Sequence, residues 1–413
     1  MSFKKISIVG LGYIGLPTAA VFASRKIKVV GIDVNPHAVD TINEGKIHIV
    51  EPDLDIAVHS AVTEGYLSAT TVPEAADAFI VAVPTPFYCE EGSVNLKPDL
   101  SYIKSACESI APVLEKGNLI ILESTSPVGA TEKMAGWLAD FRPDLTFPQT
   151  HGEAADINIA HCPERVLPGH VMRELIENDR VIGGMTKLCA QRSAELYRAF
   201  VVGECIITTA RTAEMAKLTE NSFRDVNIAF ANELSMICER LDINVWELIS
   251  LANRHPRVNI LQPGCGVGGH CIAVDPWFIV DAAPEQAKLV RTAREVNDLK
   301  PEWVIEQIIK NANQLNTKSV TCFGIAFKPD IDDLRESPAL EIAKKLADLG
   351  FDLTIVEPNV NKLPDSLQKG NVKLLDWKSN ENKVAVNAIL VAHTPFKEAG
   401  FVNESFLNFC GEF

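Results

Sequence analysis

At 413 residues the chain is long enough for two or three domains of about 150 residues each, and its 47% apolar and 23% charged content excludes a disordered or fibrous protein. Its 39 Lys and Arg against 54 Asp and Glu leave a net charge of -15, which repels phosphate backbones and makes nucleic acid and anionic membrane poor partners. No apolar run approaches the roughly 18 to 20 residues of a membrane span, and the first residues lead into a strand rather than a signal peptide, so a cytoplasmic protein is expected.

Lys4 to Val9 reads as a buried strand, followed by Gly10-Leu11-Gly12-Tyr13-Ile14-Gly15 and an apolar helical stretch through Ala23. A second strand, Lys28 to Ile32, ends in Asp33, and the apolar runs Ala78 to Val83 and Leu119 to Leu122 each end in a polar, Pro-containing loop. That is how strands of an open parallel sheet end. From Arg211 to Arg240 there is no Pro or Gly, which predicts one long helix. A helical segment is predicted near Ala287 to Val296. Strands then return at Ser319 to Gly324, Leu353 to Val356 with Glu357 after it, and Ala388 to Ala392, with a helix over Pro338 to Leu349. The expected architecture is α/β: two Rossmann-like domains with parallel sheets, 1–205 and 306–413, joined by a helical central domain, 206–305, that contains the long helix. The ten cysteines form no Cys-x-x-Cys pair, which fits free thiols in a reducing compartment, and no metal site is expected.

Three stretches carry chemistry. The glycines of Gly10 to Gly15 follow a strand and open a helix, and Asp33 ends the next strand, so the loop reads as a pyrophosphate site with Asp33 on the adenosine ribose. A carboxylate there repels a 2'-phosphate, and Val34 and Asn35 supply no Arg, so NAD is favoured over NADP. On the long helix Glu214, Lys217, Asn221 and Arg224 share one face, as a site or as a solvated stripe of ordinary ion pairs. The run Gly264-Cys265-Gly266-Val267-Gly268-Gly269-His270-Cys271 leads to Asp275 and offers either an accessible nucleophilic thiol at Cys271 or a small packing residue in a turn.

Taken in order, Gly10 to Gly15, Pro84-Thr85-Pro86, Ser124-Thr125-Ser126-Pro127-Val128-Gly129, Pro163-Glu164-Arg165, Lys217 with Asn221, Gly264 to Asp275, and Gly324-Ile325-Ala326-Phe327-Lys328 running on to Asp332 and Arg335 resemble the nucleotide-sugar 6-dehydrogenase family. These NAD-dependent enzymes oxidise a sugar's C6 alcohol to a carboxylate. The likeness extends over nearly the whole chain, and the order and spacing of the motifs make it specific. His255-Pro256-Arg257, the segment Gly269 to Pro276, and Ser222 to Asn227 resemble the branch acting on N-acetylhexosamines, which implies UDP-N-acetyl-D-mannosamine as substrate, with UDP-N-acetylglucosamine or UDP-glucose as the alternative. UDP-glucose enzymes typically have Ser where His270 stands.

The resemblance implies a four-electron oxidation with two NAD per sugar. Cys271 would capture the aldehyde as a thiohemiacetal and carry it to a thioester. Lys217 is implied as proton acceptor or oxyanion partner, Asn221 and Asp275 as positioning water and substrate, and Glu164 as assisting hydrolysis; the base for the first step stays open. Thr85, Thr125 and Arg335 join Gly10, Gly12, Tyr13, Ile14, Gly15 and Asp33 at the cofactor. Arg165, Val166, Lys217, Asn221, Arg224, His255, Arg257, Gly268, Phe327 and Lys328 are implied to hold the UDP-sugar, with Arg257 in a site completed across a homodimer interface. One departure is the C-terminal Asn408-Phe409-Cys410-Gly411, where the family has an Asp and a basic residue before the Gly. The competing reading is a two-electron β-hydroxyacid dehydrogenase, which gives Cys271 and a second Rossmann domain no task; a catalytically silent NAD-binding scaffold is the third.

Overall fold

The computed structural model describes residues 3–89, 96–167, 169–269, 272–368, 371–375, 385–399 and 405–411. Its strands are β1 (Lys5–Val9), β2 (Lys28–Ile32), β3 (Leu67–Thr70), β4 (Ala78–Val81), β5 (Phe87–Cys89), β6 (Leu96–Pro98), β7 (Leu119–Leu122), β8 (Asn158–His161), β9 (Arg180–Gly184), β10 (Cys205–Thr209), β11 (Ser319–Phe323), β12 (Asp352–Val356), β13 (Val372–Leu375), β14 (Val386–Ile389) and β15 (Leu407–Asn408). The chain divides into two compact units, Met1–Thr219 and Glu220–Phe413, and the division falls inside one long helix, Ala210–Leu241.

The first unit is built on a sheet ordered β10-β9-β8-β7-β4-β1-β2-β3. All neighbours are parallel except β8 and β9, which meet antiparallel at Ala160 with Gly184 and His161 with Gly183. Apolar alternation explains why helices cover both faces. Ile6 and Ile8 of β1 and Leu119 and Ile121 of β7 face a core with Leu16, Phe22 and Tyr197, while Val9, Ile120 and Leu122 face another with Phe79, Ile103 and Met134. The chain runs from β1 outward to β2 and β3, then returns to place β4 on the other side of β1. The carboxyl ends of β1 and β4 therefore flank a topological switch point, where open α/β sheets bind ligands.

The second unit carries an all-parallel sheet ordered β13-β12-β11-β14-β15. Its covering helix, Lys288–Gln314, departs from expectation: the segment read as ending near Val296 runs on through Pro301 to Gln314, 27 residues in all. Burial overrides the proline's missing donor. Beyond Pro301, Val304, Ile305, Ile308 and Ala312 sink into the core with Val320 and Cys322 of β11 and Ala343 and Leu346 of the helix Pro338–Asp348. No helix among the described residues is long and apolar enough to cross a membrane.

Candidate active site

The glycine loop is shaped by three different demands. Gly10 has φ +92°, and a Cβ there would stand 2.4 Å from the Ala82 carbonyl oxygen. At Gly15, the first residue of the helix Gly15–Ser24, a Cβ would lie 1.8 Å from the Gly10 oxygen. Gly12 is the contrast: a Cβ there would meet nothing within 4 Å. Two glycines are thus required by the chain's own packing, while the third borders room beside a helix N-terminus whose first turn holds no acid. Exposed Tyr13 and half-buried Ile14 complete the loop.

Asp33 sits half-buried at the end of β2. One carboxylate oxygen accepts the Leu11 N–H and the other the Asn35 N–H, each at 2.9 Å, which fixes its direction and leaves lone pairs for ribose hydroxyls. Beside it Val34 is 94% exposed and carries no charge. Room at Gly12, a helix N-terminus and an acid with spare acceptors fit the pyrophosphate and ribose of NAD. Sequence reasoning did not single out His48, which feels the charges of Asp33 and His37 and whose titration burial lowers.

Thr85 and Thr125 come from the loops that follow β4 and β7. The Thr85 hydroxyl donates to the Thr125 carbonyl at 2.5 Å and the Ser124 hydroxyl to the Val83 carbonyl at 2.7 Å, so these contacts tie the two loops to each other. Glu214 leaves the polar stripe for another task. It is buried, and its oxygens accept the Gly129 N–H at 2.6 Å, the Thr131 N–H at 2.8 Å and the Thr131 hydroxyl at 2.6 Å, capping the helix Ala130–Phe141 from afar. Burial raises its carboxyl above the usual value. Lys217 on the same helix is half-buried.

Glu164 follows β8 and is buried. One oxygen accepts the Arg165 N–H at 2.7 Å; the other lies 2.8 Å from Nη2 of Arg180. Arg165 also donates to the Asp179 carbonyl at 3.3 Å, and half-buried Val166 follows it. The loop beyond is pinned by buried Glu51, whose carboxylate accepts the N–H groups of Gly169 and Val171, both at 2.9 Å. Neither Arg180 nor Glu51 was found by sequence reasoning. The available signal was weak: an Arg opening the otherwise apolar strand Arg180–Gly184.

In the second unit, the Asn221 side chain donates to the carboxylate of buried Asp275 at 2.5 Å. Asp275 is the first residue of the helix Asp275–Ala282. The glycine stretch is held on both sides: the Gly264 N–H donates to Asn232 at 2.8 Å, and a Cβ on Gly268 would lie 2.3 Å from the Glu336 carbonyl oxygen. Gly269 lies under the Phe327 ring, 3.0 Å from where its own Cβ would be. Arg224, His255 and Arg257 are exposed, Lys328 is half-buried, and Arg335 pairs with Asp333 at 2.6 Å. The readings placed on His270 and Cys271 lie outside the described residues. Asn408 pairs in β15 and donates to the Gly411 carbonyl at 2.6 Å, so the divergent C-terminal segment uses this side chain within the fold.

Residues 4–201 match the NAD binding domain of the UDP-glucose/GDP-mannose dehydrogenase family, 211–299 its central domain and 321–406 its UDP binding domain. A UDP-N-acetyl-D-mannosamine dehydrogenase of Campylobacter jejuni is 62% identical over 410 residues, covering 99% of each chain. An NDP-N-acetyl-D-galactosaminuronic acid dehydrogenase of Ralstonia nicotianae is 61% identical over 400 residues, 96% of this chain and 93% of that one. Among solved structures, a UDP-D-ManNAc dehydrogenase from Pyrococcus horikoshii superposes with TM-score 0.84 at 37% identity, covering 97% of this chain and 91% of that chain.

Proposed function

The chain belongs to the UDP-glucose/GDP-mannose dehydrogenase family, and from that premise we propose that it oxidises UDP-N-acetyl-D-mannosamine at C6 to UDP-N-acetyl-D-mannosaminuronate. The observation that carries this substrate is the near full-length likeness to the Campylobacter enzyme of that name. The Ralstonia relative is nearly as similar and is named for a galacto sugar, so the shared 2-acetamido group is the firmer part of the assignment.

One alcohol, one water and two NAD+ give one carboxylate, two NADH and three protons. When bound, NAD supplies the hydride acceptor for each two-electron step. Gly10, Gly12 and Gly15 would admit its pyrophosphate and Asp33 its ribose, with Tyr13, Ile14, Thr85, Thr125 and Arg335 around the rest. Lys217 takes the alcohol proton or holds the developing oxyanion. The Cys271 thiolate adds to the aldehyde carbon, and the second oxidation leaves a thioester on its sulfur. The Asn221–Asp275 pair orients water and substrate. Glu164 takes a proton from the water that displaces the thiolate. Arg165, Val166, Arg224, His255, Arg257, Gly268, Phe327 and Lys328 bind the UDP-sugar, their cations pairing with its diphosphate. A two-electron oxidation would leave Cys271 and the second Rossmann-like sheet idle.

The functional form is a homodimer with Arg257 completing the partner's site. Its support is an apolar stripe on the long helix: Phe223, Phe230 and Ile237, seven residues apart, are 71%, 50% and 45% exposed in the single chain. Light scattering should return twice the 45.1 kDa chain mass. The need for NAD and a UDP-sugar supports a cytoplasmic reaction.

The activity is tested by counting NADH per sugar and by parallel kcat/KM on UDP-N-acetylmannosamine, UDP-N-acetylglucosamine, UDP-N-acetylgalactosamine and UDP-glucose. Two NADH per sugar and a preference for the manno sugar are expected. A site that hydrogen-bonds the acetamido group can reject UDP-glucose by up to about 10⁴-fold. One NADH per sugar overturns the four-electron reading; a preference for UDP-glucose overturns the substrate while leaving the chemistry. Glu164→Gln should accumulate a sugar adduct visible by intact mass.

A further inference from the structure

If Glu164 takes the proton of the hydrolytic water, its carboxylate must be aimed, and the role of any group that aims it rests on that reading of Glu164. Arg180 opens β9 and is itself buried, 4% exposed. Its two arms are divided between two acids: Nη2 lies 2.8 Å from Glu164, and Nη1 donates to Glu123 at 3.3 Å. The guanidinium carbon lies over the Tyr197 ring, 4.7 Å from its centroid. Glu123 follows β7 and is fixed from two further elements. The Tyr197 hydroxyl donates to it at 3.0 Å, and the hydroxyl of Thr18, on the helix that opens with the glycine loop, at 3.3 Å. One arm of the guanidinium is hydrogen-bonded to Glu123, the other faces Glu164 as an ion pair, and its carbon lies over the Tyr197 ring.

Such a cluster is costly to bury. One cation serves two carboxylates, and apolar residues of similar volume are often as stabilising as a buried ion pair or more so. Burial pushes Glu123 up to about 7 even against the pull of Arg180, while, burial notwithstanding, the charges of Glu164 and Glu123 raise Arg180. Its geometry has a different product: a carboxylate of Glu164 held on one oxygen by Arg180 and on the other by the Arg165 N–H.

We propose that Arg180 is the positioning residue for Glu164, held by Glu123 and Tyr197 so that Glu164 presents its remaining lone pairs to the hydrolytic water in one fixed direction. Water gives a proton to Glu164 as its oxygen bonds the thioester carbon. The carbon–sulfur bond breaks with its electron pair on the Cys271 sulfur, and the acid formed loses its second proton to solvent. A lysine cannot do what Arg180 does, because a single ammonium on a flexible stem has no fork to divide between two acids.

The test is a double-mutant cycle on the full-length enzyme with UDP-N-acetylmannosamine and NAD, or with whichever UDP-sugar it turns over. Arg180→Lys should lower kcat by about 10- to 100-fold, the scale of a small misplacement of a catalytic group. The sugar KM should fall with kcat and kcat/KM stay within about 2-fold, since only the hydrolytic step is touched and the covalent adduct builds up ahead of it. Intact mass should show the same sugar adduct as Glu164→Gln. In the Glu164→Gln background, Arg180→Lys should cost nothing further. An Arg180→Lys enzyme with normal kcat and no adduct overturns the proposal, as does an equal loss in both backgrounds, the mark of a merely structural role. Should Arg180→Lys fail to fold, Glu123→Leu leaves a balanced Arg180–Glu164 pair while removing the anchor of Nη1, and the same lost additivity with Glu164→Gln is expected. If Glu164→Gln itself turns over normally without adduct, the hydrolytic role of Glu164 falls. A slow, adduct-bearing Glu164→Gln beside a normal Arg180→Lys removes Arg180 alone.

Discussion

The two Rossmann-like sheets begin alike and end differently. In each, the first strand runs into a glycine with positive φ, +92° at Gly10 and +86° at Gly324, and a Cβ at either would stand 2.4 Å from the neighbouring segment. The next strand in each is followed by an acid, Asp33 or Glu357, that accepts the N–H just beyond the glycine, Leu11 at 2.9 Å or Ile325 at 2.8 Å. There the likeness stops. Asp33 is half-buried and holds one further N–H. Glu357 is buried, accepts the N–H groups of Ala326 and Asn359 as well, and lies 3.1 Å from Nε2 of buried His393. An acid at the end of the second strand is therefore no signature of a ribose site by itself. A ribose site also needs spare lone pairs within reach of solvent, which half-buried Asp33 keeps.

The sharpest way to break this comparison is to remove the sealed acid. Glu357→Ala strands three backbone donors and His393 in a buried site, and the expected loss is about 3 to 5 kcal/mol, seen as an early thermal transition. Although burial opposes ionisation, His393 and the backbone N–H groups hold the Glu357 carboxyl below its usual value. Its contribution is therefore present above the usual carboxylate range and lost as pH falls through its folded value. A Glu357→Ala protein that melts within a degree or two of the unmodified chain would show that the second acid is not structural.

The likeness of the two units was legible in the sequence, the contrast between their acids was not, and the difference has a physical cause. Gly10, Gly12, Gly15 and Asp33 lie within one strand-helix-strand unit, so their spacing carries the geometry. The long helix announces itself by thirty residues without Pro or Gly. By contrast Glu214 caps a helix 83 to 85 residues away, and Arg180 meets Glu123 across 57 residues. No local period encodes such contacts. Pro301 misleads for the related reason that burial of Val304 and Ile308 outweighs a local breaker. Asn221 and Asp275, 54 residues apart, were placed together only through the family resemblance.

A second buried acid sharpens the comparison by reversing its sign. Burial pushes Glu123 up to about 7 from the usual 4.5, in spite of Arg180. Across that window the folded protein keeps a proton that the unfolded chain has released, so this group's contribution falls as pH rises and is lost above about 7. Glu357 has the opposite slope. Glu123→Gln cannot titrate, and urea unfolding should show its stability relative to the unmodified protein improving by roughly 2 to 3 kcal/mol between pH 5 and pH 8. A difference that is the same at both pH values would mean that Glu123 stays ionised throughout.

The smallest expected effect falls on the open acid, and it is read in binding rather than in folding. Asp33→Ala removes the acceptor proposed for the ribose hydroxyls, hydrogen bonds to a charged group, and NAD should bind about 1 to 3 kcal/mol more weakly, roughly 5- to 150-fold in Kd by isothermal titration. The same change withdraws the charge that repels a 2'-phosphate, so the preference for NAD over NADP should narrow in parallel. Stability should hardly move. The Leu11 and Asn35 N–H groups lose a partner, but Asp33 is only half-buried and water can replace it, so the cost should stay within about 1 kcal/mol. That split, affinity lost with the fold kept, is the reverse of what Glu357→Ala should show. If Asp33→Ala melts early while NAD affinity holds, the acid after β2 is as structural as the one after β12, and the glycine loop must hold its cofactor without it.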